Sequence, residues 1–170
     1  HTPFGGMVKG AHRSMMRKFK RAKPADIEED FQKRVMPGLI YCQQVGNIMG
    51  ATVFLSLASM IDNADFSKPR RIGIFSYGSG CCSEFYSGVA FPQGKEIQAQ
   101  QNISSHLATR YSLSMEEYEQ LLNYSSRVAF GTRNVTLDYE LFPGVWKQIE
   151  GKGGLVLKRI KEFHREYEWV

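Results

Sequence analysis

At 170 residues, with 42% apolar and 23% charged, the chain has the composition of an ordinary globular domain and enough length for a hydrophobic core. No apolar run approaches the roughly 18 to 20 residues of a membrane-spanning helix, and no secretory leader is read at its start. The formal net charge of +5 favours acidic partners, whether nucleic acid, phosphorylated cofactors or acidic proteins, without choosing among them.

In chain order, Gly5-Gly6 precede an apolar stripe at Met7, Ala11, Met15 and Phe19, widened by Val8 and Met16. The four-residue spacing predicts a helix whose other side carries Lys9, Arg13, Arg17, Lys18, Lys20 and Arg21, and which Pro24 stops. Asp26 suits the N-cap of a second helix to about Val35, with Glu28, Glu29 and Asp30 in its first turn; Pro37-Gly38 ends it. Ile48 to Ile61 is too long for a typical strand and reads as a helix buried on most sides, opening near Gly46-Asn47. Arg71 to Ser76 reads as a buried strand, Tyr77-Gly78-Ser79-Gly80 as a turn, and Cys81 to Ala90 as a second strand closing a hairpin. Glu96 to Arg110 reads as one helix. Ser114, with Glu116, Glu117 and Glu119, opens another to about Asn123. Leu155-Val156-Leu157 begins a strand, while Ile160, Phe163 and Tyr167 fit either a strand or a helix. These elements point to an α/β layered domain.

The three cysteines, Cys42, Cys81 and Cys82, are odd in number with two adjacent, which argues against a disulfide framework. No paired-cysteine spacing suggests zinc, the histidines lack metal spacing, and no metal site is expected. A reducing, cytoplasmic setting fits these thiols, and the three Asn-x-Ser/Thr sequons read as chance. The opening His-Thr-Pro-Phe-Gly-Gly reads like the middle of a longer protein.

Five constellations carry possible chemistry, each beside a plainer reading. His1, just before a glycine-rich helix start, suits a residue that polarises a carbonyl or moves a proton, or it is a surface loop histidine. Asn47 either caps the helix it opens or grips a ligand carbonyl. Gly78 and Gly80 flank Ser79, so the backbone can turn tightly and offer N–H groups to an oxyanion, or form an ordinary hairpin turn. The spacing is not that of a nucleophile elbow, so Ser79 is not expected to be a hydrolase nucleophile. Cys81-Cys82 with Glu84 nearby fit a thiol nucleophile beside a carboxylate or plain core packing; adjacent strand residues face opposite sides, so at most one thiol could enter a site, and packing is the favoured reading. The basic helix face is either solvated or an electrostatic contact for phosphate or an acidic protein; without interleaved aromatics it does not suit nucleic acid.

Taken together, His1-Thr2-Pro3-Phe4, Val45-Gly46-Asn47 leading into Ser56-Leu57-Ala58-Ser59, and Arg71 to Gly80 resemble the 3-hydroxy-3-methylglutaryl-CoA synthases in order and spacing. The closing Leu155 to Ile160 segment resembles them too. The resemblance implies a thiolase-like layered α/β fold, of which residues 1–170 would be the C-terminal half, a mixed β-sheet flanked by helices. It implies a Claisen-like condensation in which an acetyl group, carried on a cysteine, is deprotonated by a glutamate and attacks the β-ketone of an acceptor thioester. By motif His1 matches the histidine that polarises the acceptor carbonyl. Asn47 matches the asparagine that contacts the acyl groups, and Ser79 the serine whose backbone N–H supports the acetyl oxygen. Phe4, Tyr77 and Gly78 stand in the same motifs and are taken as substrate-binding. The nucleophilic cysteine and base glutamate have no counterpart in this chain, which is expected to be inactive alone.

Within the family, the string from His1 to His12, with glycine at position 6 where mevalonate-pathway members tend to carry a lysine, looks like the synthases of polyketide β-branching. That implies acyl groups on acyl carrier proteins as donor and acceptor, held through phosphopantetheine rather than free coenzyme A, and no bound cofactor. Lys9, Arg13 and Arg17 would suit an acidic carrier protein or a phosphate. A homodimer is expected by analogy, with no nucleic acid and no membrane partner. The rival readings are a mevalonate-pathway synthase using acetyl-CoA and acetoacetyl-CoA, and a non-catalytic thiolase-like module that binds carrier proteins. A thiolase or ketoacyl synthase is weaker, because the histidine motifs of those families are not found.

Overall fold

The computed structural model describes residues 4–78 and 80–170. The chain forms two compact units, His1–Ala108 and Thr109–Val170.

In the first unit, α1 (Gly5–Met15) follows an extended Phe4 and runs into a π-turn, Met16–Lys20, which Arg21 closes at φ 49°. Next comes α2 (Pro24–Arg34). The expected N-cap at Asp26 is corrected here. Pro24 takes the first helical position, where its missing N–H is no loss, and Asp26 reaches back to the Lys23 N–H at 3.4 Å. A 3₁₀ turn, Met36–Leu39, leads into α3 (Ile40–Val45), a helix the sequence reading did not foresee. A further 3₁₀ turn, Met49–Ala51, precedes α4 (Thr52–Asn63). The fully buried side chains of α4 are polar. Thr52 is 1% and Ser59 0% exposed, while Phe54 is 64% exposed. The helix is therefore half-buried along most of its apolar length, not buried on most sides.

Ser59 Oγ donates to the Pro37 carbonyl at 2.6 Å and accepts the Tyr41 N–H at 3.2 Å. The Tyr41 hydroxyl donates to Asp62 at 2.7 Å; burial, with Asp62 adding to it, pushes the phenol up to about 12. Met16, Ile27, Phe31, Leu39, Tyr41 and Phe66 form the core of this unit.

The expected hairpin is present: β1 (Arg70–Gly78) and β2 (Cys82–Ala90) pair antiparallel from Arg70↔Ala90 to Gly78↔Cys82. The expectation that its first strand is buried is not met. Ile72 and Ile74 are half-buried, but Phe75 is exposed, because α4 packs on one side of a two-stranded sheet. The single helix expected over 96–110 is two, α5 (Pro92–Ala99) and α6 (Ile103–Ala108). Asn102 breaks it at φ 49°, a left-handed conformation that asparagine tolerates better than most residues.

In the second unit, α7 (Met115–Ser125) opens on the expected cap: Ser114 Oγ accepts the Glu117 N–H at 3.1 Å and Glu117 accepts the Ser114 N–H at 2.8 Å. The short β3 (Val135–Thr136), α8 (Pro143–Ile149), β4 (Leu155–Lys161) and β5 (His164–Trp169) complete it, with antiparallel sheet order β3-β4-β5. The final segment, open between strand and helix by sequence, is a strand. Its two-residue turn, Glu162 (φ 46°) and Phe163 (φ 68°), lacks the usual Asn-Gly but is clamped from outside. Glu162 accepts from Arg133 at 2.6 and 2.8 Å, and Arg133 O accepts the Phe163 N–H at 3.0 Å.

Candidate active site

Phe4, Asn47, Tyr77, Gly78, Lys9, Arg13 and Arg17 lie in the first unit; His1 and Ser79 are outside the described residues. Asn47 sits where α3 ends. Gly46, at φ 84°, turns the chain, and Met49 takes a left-handed φ of 56°. In this bend Asn47 Oδ1 accepts the Met49 N–H at 2.9 Å. Thr52 Oγ1 accepts the Ile48 N–H at 3.0 Å and donates to Asn47 Oδ1 at 3.4 Å. The two readings of Asn47 are thus compatible: its oxygen organises the start of α4, while the side chain stays exposed with its amide nitrogen to offer.

Tyr77 and Gly78 end β1, opposite Ser83 and Cys82. A Cβ on Gly78 would come within 2.8 Å of the Cys82 carbonyl oxygen, so the hairpin closes at this distance only with glycine there. Phe4 precedes α1, and its ring lies over Gly6, where a Cβ would meet it at 3.1 Å. The glycine at position 6 therefore gives Phe4 its place. A lysine there would have to displace the ring.

Tyr77 lines an apolar cavity of about 450 Å³ between α1, α4 and β1, walled by Met7, Met15, Leu57, Met60, Ile74 and Phe85. Asn47, Phe4 and Gly78 do not line it. Lys9, Arg13 and Arg17 come together around a smaller hollow of about 180 Å³ between α1 and α2. Their charges differ in availability. Lys9 is 2.7 Å from Glu28 and lies over the Phe31 ring, whereas Arg13 and Arg17 have no ion-pair partner among the described residues.

Behind this face His12, 8% exposed, places Nε2 2.9 Å from Asp30, out of line for a hydrogen bond. The Arg34 guanidinium, bonded to both Asp30 oxygens at 2.7 Å, holds that carboxyl below its ordinary value. Sequence reasoning missed this cluster, and Thr52 too. The available signal for Thr52 was a hydroxyl residue opening an otherwise apolar helix, five places after the asparagine.

The expected core packing of Cys81 and Cys82 is not met: both are exposed at the tip of the hairpin, and Glu84 sits opposite Ser76 on the same hairpin. Burial pushes the Cys42 thiol up, which keeps it protonated and unsuited to nucleophilic attack. Among the described residues no group of three or more His, Cys, Asp or Glu side chains is arranged to hold a metal ion, and no helix is long and apolar enough to cross a membrane.

Residues 7–167 match the family described as hydroxymethylglutaryl-coenzyme A synthase C terminal. The chain belongs to the hydroxymethylglutaryl-CoA synthase family. It is 61% identical over all its residues to the polyketide biosynthesis 3-hydroxy-3-methylglutaryl-ACP synthase PksG of Bacillus subtilis, covering 40% of that protein. It superposes with a TM-score of 0.90 and 82% identity on the HMG synthase of the curacin biosynthetic pathway, solved in complex with apo donor-ACP, covering 100% of this chain and 42% of that one. The mitochondrial hydroxymethylglutaryl-CoA synthase of Sus scrofa is 30% identical over 82% of the chain and 30% of that protein. The chain thus spans about two fifths of the length of PksG and of the curacin-pathway synthase, and its fold is the thiolase-like fold of those synthases.

Proposed function

We propose that this chain is the C-terminal half of a polyketide β-branching synthase, which condenses an acetyl group from an acyl carrier protein onto the β-ketone of a second carrier-bound thioester. Whole-chain identity of 61% to an enzyme named for ACP-linked substrates carries this reading, against 30% to a mitochondrial CoA-named enzyme. The glycine at position 6, filled over by the Phe4 ring, supports it. So does the exposed basic face at Arg13 and Arg17, which suits an acidic carrier domain.

In this mechanism the thioester-forming cysteine and the methyl-deprotonating glutamate belong to a segment not contained in these 170 residues, and the chain by itself is inactive. The enolate carbon attacks the ketone carbon, a C–C bond forms, and negative charge moves onto the former ketone oxygen. His1 polarises that oxygen. Asn47 donates its amide N–H to an acyl oxygen, and the Ser79 backbone N–H supports the acetyl-thioester oxygen, with Phe4, Tyr77 and Gly78 shaping the approach. Donors aimed in advance at developing charge are each worth on the order of a hundredfold to a thousandfold in rate. The substrates arrive on phosphopantetheine arms, and no resident cofactor is required. A homodimer follows by analogy with the fold. The three free thiols suit the cytoplasm.

The test supplies the full-length enzyme with radiolabelled acetyl-carrier protein or acetyl-CoA and follows acetylation of the protein. Acylation by the carrier is expected to be faster, and to slow in Arg13→Glu and Arg17→Glu. Equal or faster acylation by acetyl-CoA would refute the carrier reading in favour of a mevalonate-pathway synthase, and no acylation from either would favour a non-catalytic binding module.

A further inference from the structure

A carboxamide has a donor end and an acceptor end, and only the donor can hold an acyl oxygen. Which end of Asn47 faces out is decided by its neighbours. A backbone N–H can only donate, so the amide atom that Met49 N–H meets at 2.9 Å must be oxygen. Thr52 reaches the same oxygen from the start of α4. Its own oxygen is engaged by the Ile48 N–H at 3.0 Å, which leaves the hydroxyl proton directed to Asn47. At 1% exposure, Thr52 has no water to compete for that proton, while Asn47 is exposed.

We infer that Thr52 is a positioning residue for the condensation: its buried hydroxyl fixes the Asn47 carboxamide with Oδ1 turned inward, so that Nδ2 alone is presented to the acyl oxygen of a thioester. This rests on the proposed role of Asn47. With Met49 N–H as the only anchor, the side chain pivots about a single bond. The loss belongs to the transition state, where charge on the acyl oxygen grows, and so to kcat more than to KM.

The experiment measures condensation kinetics of the full-length enzyme with carrier-bound substrates for wild type, Thr52→Val, Thr52→Ser, Asn47→Asp and the Thr52→Val/Asn47→Asp pair. Thr52→Val is expected to lower kcat about tenfold, the scale of one net hydrogen bond, with KM changed less than about twofold. Thr52→Ser, which keeps the hydroxyl, restores the rate. Asn47→Asp keeps an oxygen for Met49 N–H but has no donor, and is expected to lose about a hundredfold; adding Thr52→Val to it costs nothing further. If Thr52→Val does not fold, Thr52→Ala carries the same expectation. Full activity in Asn47→Asp would overturn the reading of Asn47 itself. An impaired Asn47→Asp with an undiminished further loss from Thr52→Val would overturn only the positioning role, as would a wild-type rate in Thr52→Val.

Discussion

Ser59→Ala removes one oxygen atom and leaves two backbone groups without their partner. The Pro37 carbonyl loses a donor at 2.6 Å and the Tyr41 N–H loses an acceptor at 3.2 Å, in a place where Ser59 is 0% and Tyr41 3% exposed. Each buried orphan costs about 1–3 kcal/mol, so the substitution, which leaves two, should cost about 2–6 kcal/mol. That is a large share of the roughly 5–15 kcal/mol that holds a typical protein folded. With a urea slope of about 2 kcal/mol/M, the middle of the usual range for small proteins, the midpoint should fall by about 1–3 M. Both tryptophans, Trp146 and Trp169, lie in the second unit, so far-ultraviolet circular dichroism is the appropriate probe. Hydrogen exchange at the Tyr41 amide should rise in parallel, while the exposed control Ser104→Ala stays within about 0.5 kcal/mol. A Ser59→Ala shift below about 0.5 kcal/mol, with the Tyr41 amide as protected as before, would refute the idea that this hydroxyl clamps α4 to α3.

Two further outcomes are expected. The Asp30 carboxyl is held low, first by its hydrogen bonds to Arg34, so it stabilises the fold fully above the unfolded carboxylate value of about 4 and loses that contribution as pH falls through the lower folded value. The difference in urea midpoint between wild type and Asp30→Asn should therefore shrink between pH 5 and pH 2, and an unchanged difference would contradict the assignment. Gly78→Ala, whose Cβ would press on the Cys82 carbonyl oxygen at 2.8 Å, should destabilise by about 1–3 kcal/mol and raise exchange across β1 and β2, whereas Gly88→Ala, with nothing within 4 Å, should leave exchange there unchanged.

What the sequence made legible was local. Ser114 and Glu117 are three residues apart and cap the same helix turn, so composition and spacing suffice. The hairpin around Gly78 and Gly80 carries its own turn residues. What stayed hidden depends on distant partners. The β4–β5 turn uses Glu162-Phe163, which no turn rule favours, because Arg133 reaches it from 29 residues away. Pro37 and Ser59, 22 residues apart, orient α4 in a way no periodicity encodes. The apolar run at Ile72–Phe75 implies cover on both faces, and in this chain α4 supplies cover on one. For the site, the motifs identified the family, and the structure added why Gly6 and Gly78 are glycines. The bond from Thr52 to Asn47 was invisible to pattern because it joins a residue read as a cap to one read as core.

Thr52 and Ser59 are seven residues apart, two helical turns, so they share one stripe of α4 roughly 10 Å apart along its axis. Two pegs at that separation index a rod in both rotation and translation, as a greasy stripe alone would not. The pegs keep the helix's leading end in register with the bend that carries Asn47.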